Sequence, residues 1–197
     1  DKDGDGVSNS GDAFPADASQ TGDSDQDGYG DNTTGFRGDR CPAIYGESRR
    51  GNVFGCPDTD FDGWDNGNDS FPQQSSQWND SDGDGYGDEF SGFQGDSCSS
   101  IPGNSTIDRF GCVDTDGDGY SDLIDAFDNN PTQWADSDGD GFGNNQSTNA
   151  TQSDAFPNDG TQWNDTDGDG HGDYKYGSQG DYFPNNPNRW QDTDEDG

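Results

Sequence analysis

The sequence predicts an irregular repeat fold, a rod with little regular helix or strand and no conventional hydrophobic core. Three observations carry this expectation. Leu, Ile, Val and Phe together number only 20 of 197 residues, while the formal net charge is −35. A chain so charged and so poor in apolar surface cannot offset its conformational entropy by apolar burial alone. The acid is also nearly all of one kind, 40 Asp against 3 Glu, beside 32 Gly. Finally, Asp-x-Asp-x-Asp-Gly recurs eight times, starting at Asp1, Asp23, Asp58, Asp80, Asp114, Asp136, Asp165 and Asp192.

The strong preference for Asp points to chemistry rather than to solvation. Asp is short, tolerates turn conformations and presents hard oxygens close to the backbone, and Gly supplies positive φ at sharp turns. Apolar residues follow neither a 3.6 nor a sustained 2.0 period, and Gly, Pro, Asn and Asp interrupt every longer segment. One helical turn around Tyr120–Phe127 is the most that helix propensity offers.

The repeat divides the chain into one array of units, 1–22, 23–57, 58–79, 80–113, 114–135, 136–164 and 165–191, with a truncated eighth at 192–197. In the short units the arithmetic is that of a calcium loop. Side chains at loop positions 1, 3 and 5, a carbonyl at 7, a ligand at 9 (often through water) and an acid at 12 surround the ion, with Gly at 6 for the turn. These positions are Asp1, Asp3, Asp5, Val7, Asn9 and Asp12; Asp58, Asp60, Asp62, Trp64, Asn66 and Asp69; and Asp114, Asp116, Asp118, Tyr120, Asp122 and Asp125.

The longer units have Thr34, Ser91, Ser147 and Tyr176 where the closing acid belongs. Their chain is expected to bulge so that a later Asp closes the site. Those sets read Asp23, Asp25, Asp27, Tyr29, Asp31 and Asp39; Asp80, Asp82, Asp84, Tyr86, Asp88 and Asp96; Asp136, Asp138, Asp140, Phe142, Asn144 and Asp154; and Asp165, Asp167, Asp169, His171, Asp173 and Asp181. The eighth start offers Asp192, Asp194 and Asp196. Calcium is the expected ion, at least one per complete unit. Eight divalent ions would bring the charge from −35 to −19, and sixteen to −3, which makes two per unit plausible on charge grounds. Magnesium asks for stricter octahedral geometry, and zinc or copper for His or free Cys.

The joints between loops show their own pattern. The residue two places after each closing Asp is Phe14, Cys41, Phe71, Cys98, Phe127, Phe156 or Phe183; the residue two places before the next start is Thr21, Cys56, Trp78, Cys112, Trp134, Trp163 or Trp190. Cys matches Cys, and Phe matches Trp in all but the first joint. This predicts disulfides Cys41–Cys56 and Cys98–Cys112, hence an oxidising compartment. It also predicts Phe–Trp ring contacts at the equivalent joints.

These loops, their alternation of short and long units and the Asp-x-Cys-Pro motif resemble thrombospondin type 3 repeats, over essentially the whole chain. The segments Asp39–Cys56 and Asp96–Cys112 resemble the Cys-bounded linkers of microbial members. The resemblance implies calcium wrapped by an irregular chain, often two ions per unit. Most of the family's cysteines are replaced here by Phe and Trp.

Other features weigh less. Arg37-Gly38-Asp39 has the form of an adhesion tripeptide, but Gln94-Gly95-Asp96 and Gln179-Gly180-Asp181 hold the same place, so Gly-Asp reads as structural. His171, the only His, falls where a backbone oxygen matters. Glycosylation sequons begin at Asn32, Asn68, Asn79, Asn104, Asn145, Asn149 and Asn164. The charge has the wrong sign for nucleic acid, and no apolar run is long enough to span a bilayer. The chain opens and stops inside a motif, which reads as a segment flanked by further repeats of a longer chain. The expected function is an extracellular or cell-surface calcium-dependent spacer, stalk or fibre shaft. The competing expectation is an adhesion or glycan-binding module. An enzyme is not expected, since nucleophile and base residues are nearly lacking.

Overall fold

A computed structural model describes residues 1–194. Among them there is no helix and almost no strand, only isolated parallel bridges at Gly30–Gly38, Asp39–Phe54, Gly143–Ser153 and Gly172–Gly180. The chain divides into two compact units, Asp1–Ser100 and Ile101–Gly197. Asp196 of the eighth start lies outside the described residues.

Each of the first seven Asp-rich segments is bent by two left-handed residues, at loop positions 4 and 6. In the 114–125 loop these are Gly117 at φ 81° and Gly119 at φ 100°. Glycine takes this conformation without penalty, but Gln26 (φ 68°) and Phe61 (φ 66°) adopt it at position 4 with a side chain attached. The bend turns two N–H groups back onto the first acid: Gly117 and Gly119 donate to the Asp114 carboxylate at 2.7 and 2.9 Å. The N–H at position 9 then closes the loop on the carbonyl preceding it, as in Asp122 to Val113 at 2.9 Å and Asp173 to Asn164 at 2.9 Å.

Beyond the closing acids Asp12, Asp69, Asp125, Asp154 and Asp181 the chain makes two consecutive β-turns. Phe71 carbonyl accepts from Gln74 N–H at 2.9 Å, and Gln74 carbonyl accepts from Gln77 N–H at 2.8 Å. The same pair of bonds recurs after Phe14, Phe127, Phe156 and Phe183. Pro15, Pro72, Pro157 and Pro184 each pre-set the first of these turns.

The interior is polar. Among the described residues the buried apolar side chains are Cys56 and Cys112; the largest fully buried ones are Gln20, Gln77, Gln133 and Gln162. Each Gln ends its double turn three residues before a long loop. Its amide behaves as a detached peptide group facing the bulge of that loop. Gln77 Nε2 donates to the carbonyls of Glu89 (2.9 Å) and Phe93 (3.3 Å), while its Oε1 accepts from Glu89 N–H (3.0 Å). Gln20, Gln133 and Gln162 bind their bulges in the same way.

Disulfide Cys41–Cys56 forms as expected, Cys98 and Cys112 are disulfide-bonded too, and no cysteine is free. The Phe–Trp clasps do not form. Trp134 stacks instead on Tyr120 (5.3 Å, 7°), Trp163 on Phe142 (5.5 Å, 6°) and Trp190 on His171 (4.7 Å, 6°), in each case position 7 of the preceding loop. Trp78 lies under the Arg50 guanidinium at 5.3 Å. The joint is bridged by backbone instead, as in Ala126 N–H to Trp134 carbonyl at 3.2 Å and Ser70 N–H to Trp78 carbonyl at 3.0 Å. At these three joints the ring that the Trp meets is the one at position 7 of the preceding loop. The helical turn expected near Tyr120 amounts to one bond of helical span, Asp125 N–H to Ser121 carbonyl at 2.9 Å.

Candidate metal centres

The acids at positions 1, 3 and 5 converge. In the loops starting at Asp1, Asp23, Asp58, Asp80 and Asp114, one carboxylate oxygen from each of the three lies within 4.8 Å of the others; such groups can hold a metal ion.

Hydrogen bonding divides the oxygens into two sets. Both oxygens of the position 1 acid accept from backbone N–H groups, while at positions 3 and 5 and at the closing acid one oxygen is spent in this way. Position 3 accepts from the position 5 N–H, position 5 from the position 7 N–H, and the closing Asp from the N–H two residues on. In the last long unit these are Asp167 from Asp169 N–H (3.2 Å), Asp169 from His171 N–H (2.9 Å) and Asp181 from Phe183 N–H (2.6 Å). The other oxygen, Oδ2, is buried and meets no donor. This holds together for Asp3, Asp5 and Asp12; for Asp138, Asp140 and Asp154; and for Asp167, Asp169 and Asp181. It holds also for Asp25 and Asp39, Asp60 and Asp62, Asp82 and Asp96, and Asp116 and Asp118. Asp27 differs, since its Oδ2 accepts from Gly46 N–H at 3.2 Å.

The bulge of the long units brings a distant Asp to the place of the near one. In the short 114–125 loop, Asp125 N–H binds the position 8 carbonyl of Ser121 at 2.9 Å. In the long loops Asp39, Asp96, Asp154 and Asp181 bind the position 8 carbonyls of Gly30, Gly87, Gly143 and Gly172 at 2.8, 2.8, 2.9 and 2.7 Å. The same bond therefore seats the last Asp in the 114–125 loop and in all four long loops, whereas in the 1–12 and 58–69 loops the position 8 carbonyl accepts from Gly11 and Asn68 N–H.

Electrostatics follow from this convergence. Burial foremost, with the like charges of Asp27, Asp25 and Asp31, pushes Asp39 up to about 6 against the pull of the Cys41 N–H. Asp69, Asp96, Asp125, Asp154 and Asp181 are raised by burial and by the acids of their own loops. Asp27, Asp62, Asp118 and Asp140 at position 5 rise likewise. Buried carboxylate oxygens without donors, set beside like charges, are costly unless a cation completes them. The donors here are carboxylates and carbonyls, which suit a hard cation. Among the described residues, the position 7 carbonyls of Val7, Tyr29, Trp64, Tyr120, Phe142 and His171 accept no hydrogen bond from the protein.

Position 9 has a duty that the spacing did not reveal. Its side chain staples position 2: Asp122 accepts from both the N–H and the hydroxyl of Thr115, each at 2.7 Å. Asp31 does the same with Ser24, Asp88 with Ser81 and Asp173 with Thr166. Asn9, Asn66 and Asn144 accept from the position 2 N–H alone. Burial pushes the Asp88 carboxyl up, but the bonds from Ser81 and Asn79 outweigh it and hold the group below the usual range. Asp192 at the eighth start lies 3.9 Å from the Arg189 guanidinium.

The lesser motifs also find their places. Arg37, Gln94, Gln152 and Gln179 all take positive φ, between 48° and 55°, immediately before the closing segment. Arg37 thus holds a turn, and Asp39 has no exposed surface with which to face a receptor. His171 Nδ1 lies 3.2 Å from the Gln179 carbonyl. Of the sequon residues, Asn104 and Asn149 are not buried and their side chains make no hydrogen bond among the described residues. The side-chain amides of Asn32, Asn68, Asn79, Asn145 and Asn164 are engaged. No helix of the described residues is long and apolar enough to cross a membrane.

No protein-family model matches this chain, and no curated protein matches it. Fold and sites define a chain of acidic loops able to hold metal ions, with disulfides that suit an oxidising environment.

Proposed function

We propose that this chain is a calcium-binding structural segment of an extracellular or cell-surface protein, a spacer, stalk or fibre shaft akin to thrombospondin type 3 repeats. The observation that carries the reading is the row of buried Oδ2 atoms without donors on positions 3 and 5 and on the closing acid. Asp1, Asp3, Asp5 and Asp12, and their equivalents in each unit, would hold the ion, with the position 7 carbonyl beside them. When bound, calcium supplies charge neutralisation and the contacts that an apolar core supplies elsewhere. Position 9 serves as a staple, in contact with the ion at most through water. An enzymatic role has little support: every cysteine is in a disulfide and the one imidazole is stacked on Trp190.

The test is removal of the ion. Chelator should enlarge the hydrodynamic radius and abolish the circular-dichroism signal, and calcium should restore both. A radius unchanged by chelator would sink the reading.

A second reading, an adhesion or glycan-binding module, draws on the aromatic side chains that the long-unit bulges expose: Phe36 at 69 %, Phe93 at 61 % and Tyr176 at 73 %. Glycan-array binding that is lost on replacing these three rings by Ala would favour it over a plain spacer.

A further inference from the structure

We propose that the buried glutamines Gln20, Gln77, Gln133 and Gln162 are positioning residues that seat the closing acid of each long loop and link that loop to the one before it. The proposal rests on the calcium reading above and concerns how the long sites are completed.

Four facts converge on these side chains. All four are 0–1 % exposed, an unusual place for Gln. Each binds the first residue of its bulge through both amide ends, and its Nε2 also reaches a carbonyl near the end of that bulge. For Gln162 these contacts are Tyr174 N–H (3.1 Å), Tyr174 carbonyl (2.9 Å) and Ser178 carbonyl (3.0 Å). The amide thus pins the two ends of the bulge together. Next, each Gln lies where a side chain at position 8 would otherwise stand. A Cβ on Gly30, Gly87, Gly143 or Gly172 would fall 2.0–2.1 Å from the Gln Oε1. The short loops carry Ser8, Asp65 and Ser121 at that position, and those starting at Asp58 and Asp114 have Gly55 and Gly111, not Gln, three residues before them. Last, the carbonyl of that same glycine receives the closing Asp N–H. Gln and Gly form one device, present where the closing acid is distant and missing where it is near.

The device also has an upstream end. From Asp69, which closes the 58–69 loop, Oδ1 accepts from Phe71 N–H at 2.7 Å. Phe71 carbonyl accepts from Gln74, Gln74 carbonyl from Gln77, and the Gln77 amide holds Glu89 and Phe93, behind which Asp96 binds Gly87. A continuous hydrogen-bonded path therefore joins one closing acid to the next. The equivalent path runs from Asp12 to Asp39, from Asp125 to Asp154 and from Asp154 to Asp181. Ordering the first acid on an ion orders the second before its own ion arrives, and this is positive coupling between sites.

The experiment uses the full chain and calcium itself as the probe. The position 6 glycine amides, Gly6, Gly28, Gly63, Gly85, Gly119, Gly141 and Gly170, each donate to the first acid of their loop. Nitrogen-15 glycine NMR therefore reads occupancy loop by loop. Gln77→Ala should weaken calcium in the 80–96 loop about tenfold, the effect of losing a hydrogen-bonded anchor, and leave the Gly141 and Gly170 signals unchanged. Gln77→Glu keeps the size and the Oε1 acceptor but loses the donor, and should behave like Gln77→Ala. Asp96→Asn should weaken the same loop, and the double variant should be no weaker than Asp96→Asn alone. Emptying the preceding loop with Asp60→Asn and Asp62→Asn should weaken the 80–96 loop about fivefold or more, but not when Gln77 is already Ala. The exposed Gln73→Ala should change nothing. Additive losses for Gln77→Ala and Asp96→Asn, an equal loss in every loop, or no loss at all would overturn the proposal while leaving the calcium reading intact. Wild-type glycine signals that ignore calcium would overturn both.

Discussion

Replacing Asp39 by Asn should change the stability of the chain in opposite directions with and without calcium. The closing acid has no exposed surface and one oxygen without a donor. Its other oxygen accepts from Cys41 N–H at 2.7 Å, which an Asn carbonyl reproduces. The new amide would point its N–H groups at the neighbouring carboxylates that otherwise repel the acid. In chelator the substitution therefore removes a misplaced charge. A pKa raised from 3.8 to about 6 corresponds to roughly 3 kcal/mol at full strength. Water and counterions around an ion-free loop screen this, so about 1–2 kcal/mol of stabilisation is the reasonable expectation. The pH sign agrees: the folded, ion-free chain holds more protons than the unfolded one, so wild-type stability falls as pH rises from about 4 to 6. Asp39→Asn should flatten that fall. With calcium the order reverses, since the ion loses an anionic ligand and the 23–39 loop should bind at least about tenfold more weakly. The assay at pH 7, on wild type and variant, is urea unfolding in saturating calcium and, in chelator, where the chain is expanded, refolding by a stabilising osmolyte. Destabilisation of the same size under both conditions would refute the reasoning, because Asp39 would then act through packing alone.

Gly87→Ala should cost about 1–3 kcal/mol in calcium, because its Cβ would fall 2.1 Å from Gln77 Oε1 and displace a fully buried side chain; a change under about 0.5 kcal/mol in a denaturant midpoint would contradict the packing described. Trp134→Ala removes the stack on Tyr120 and should weaken the 114–125 loop more than the 136–154 loop, read from the Gly119 and Gly141 amides; the opposite order would restore the Phe127 partnership that the fold denies. Calcium uptake should release protons near pH 5.5 and release fewer at pH 7.5, since Asp39, pushed up to about 6, is largely protonated only at the lower value; buffer-dependent calorimetry measures this, and equal release at both values would count against it.

Much of the candidate site is legible in the sequence alone. Two left-handed glycines around three alternating Asp are a local instruction, complete within a dozen residues, and Gly117 and Gly119 execute it without help from distant chain. The displacement of the last acid to Asp39, Asp96, Asp154 and Asp181 is readable as well, because the absence of an acid at Thr34, Ser91, Ser147 and Tyr176 requires a bulge. The matching Cys41 and Cys56 need only the register of the repeat. What the tertiary structure alone decides concerns partners chosen across loops. The Phe–Trp pairing follows from register and fails, because proximity along the chain does not say which face a ring presents; Trp134 stacks on Tyr120 instead. Gln77 escapes notice in the sequence because a polar, flexible side chain looks like surface in any composition. Its signal is present there, a Gln three residues before each long loop paired with Gly at position 8. Its meaning depends on an empty space that only Gly87 can leave, and space of that kind exists only once the chain has folded.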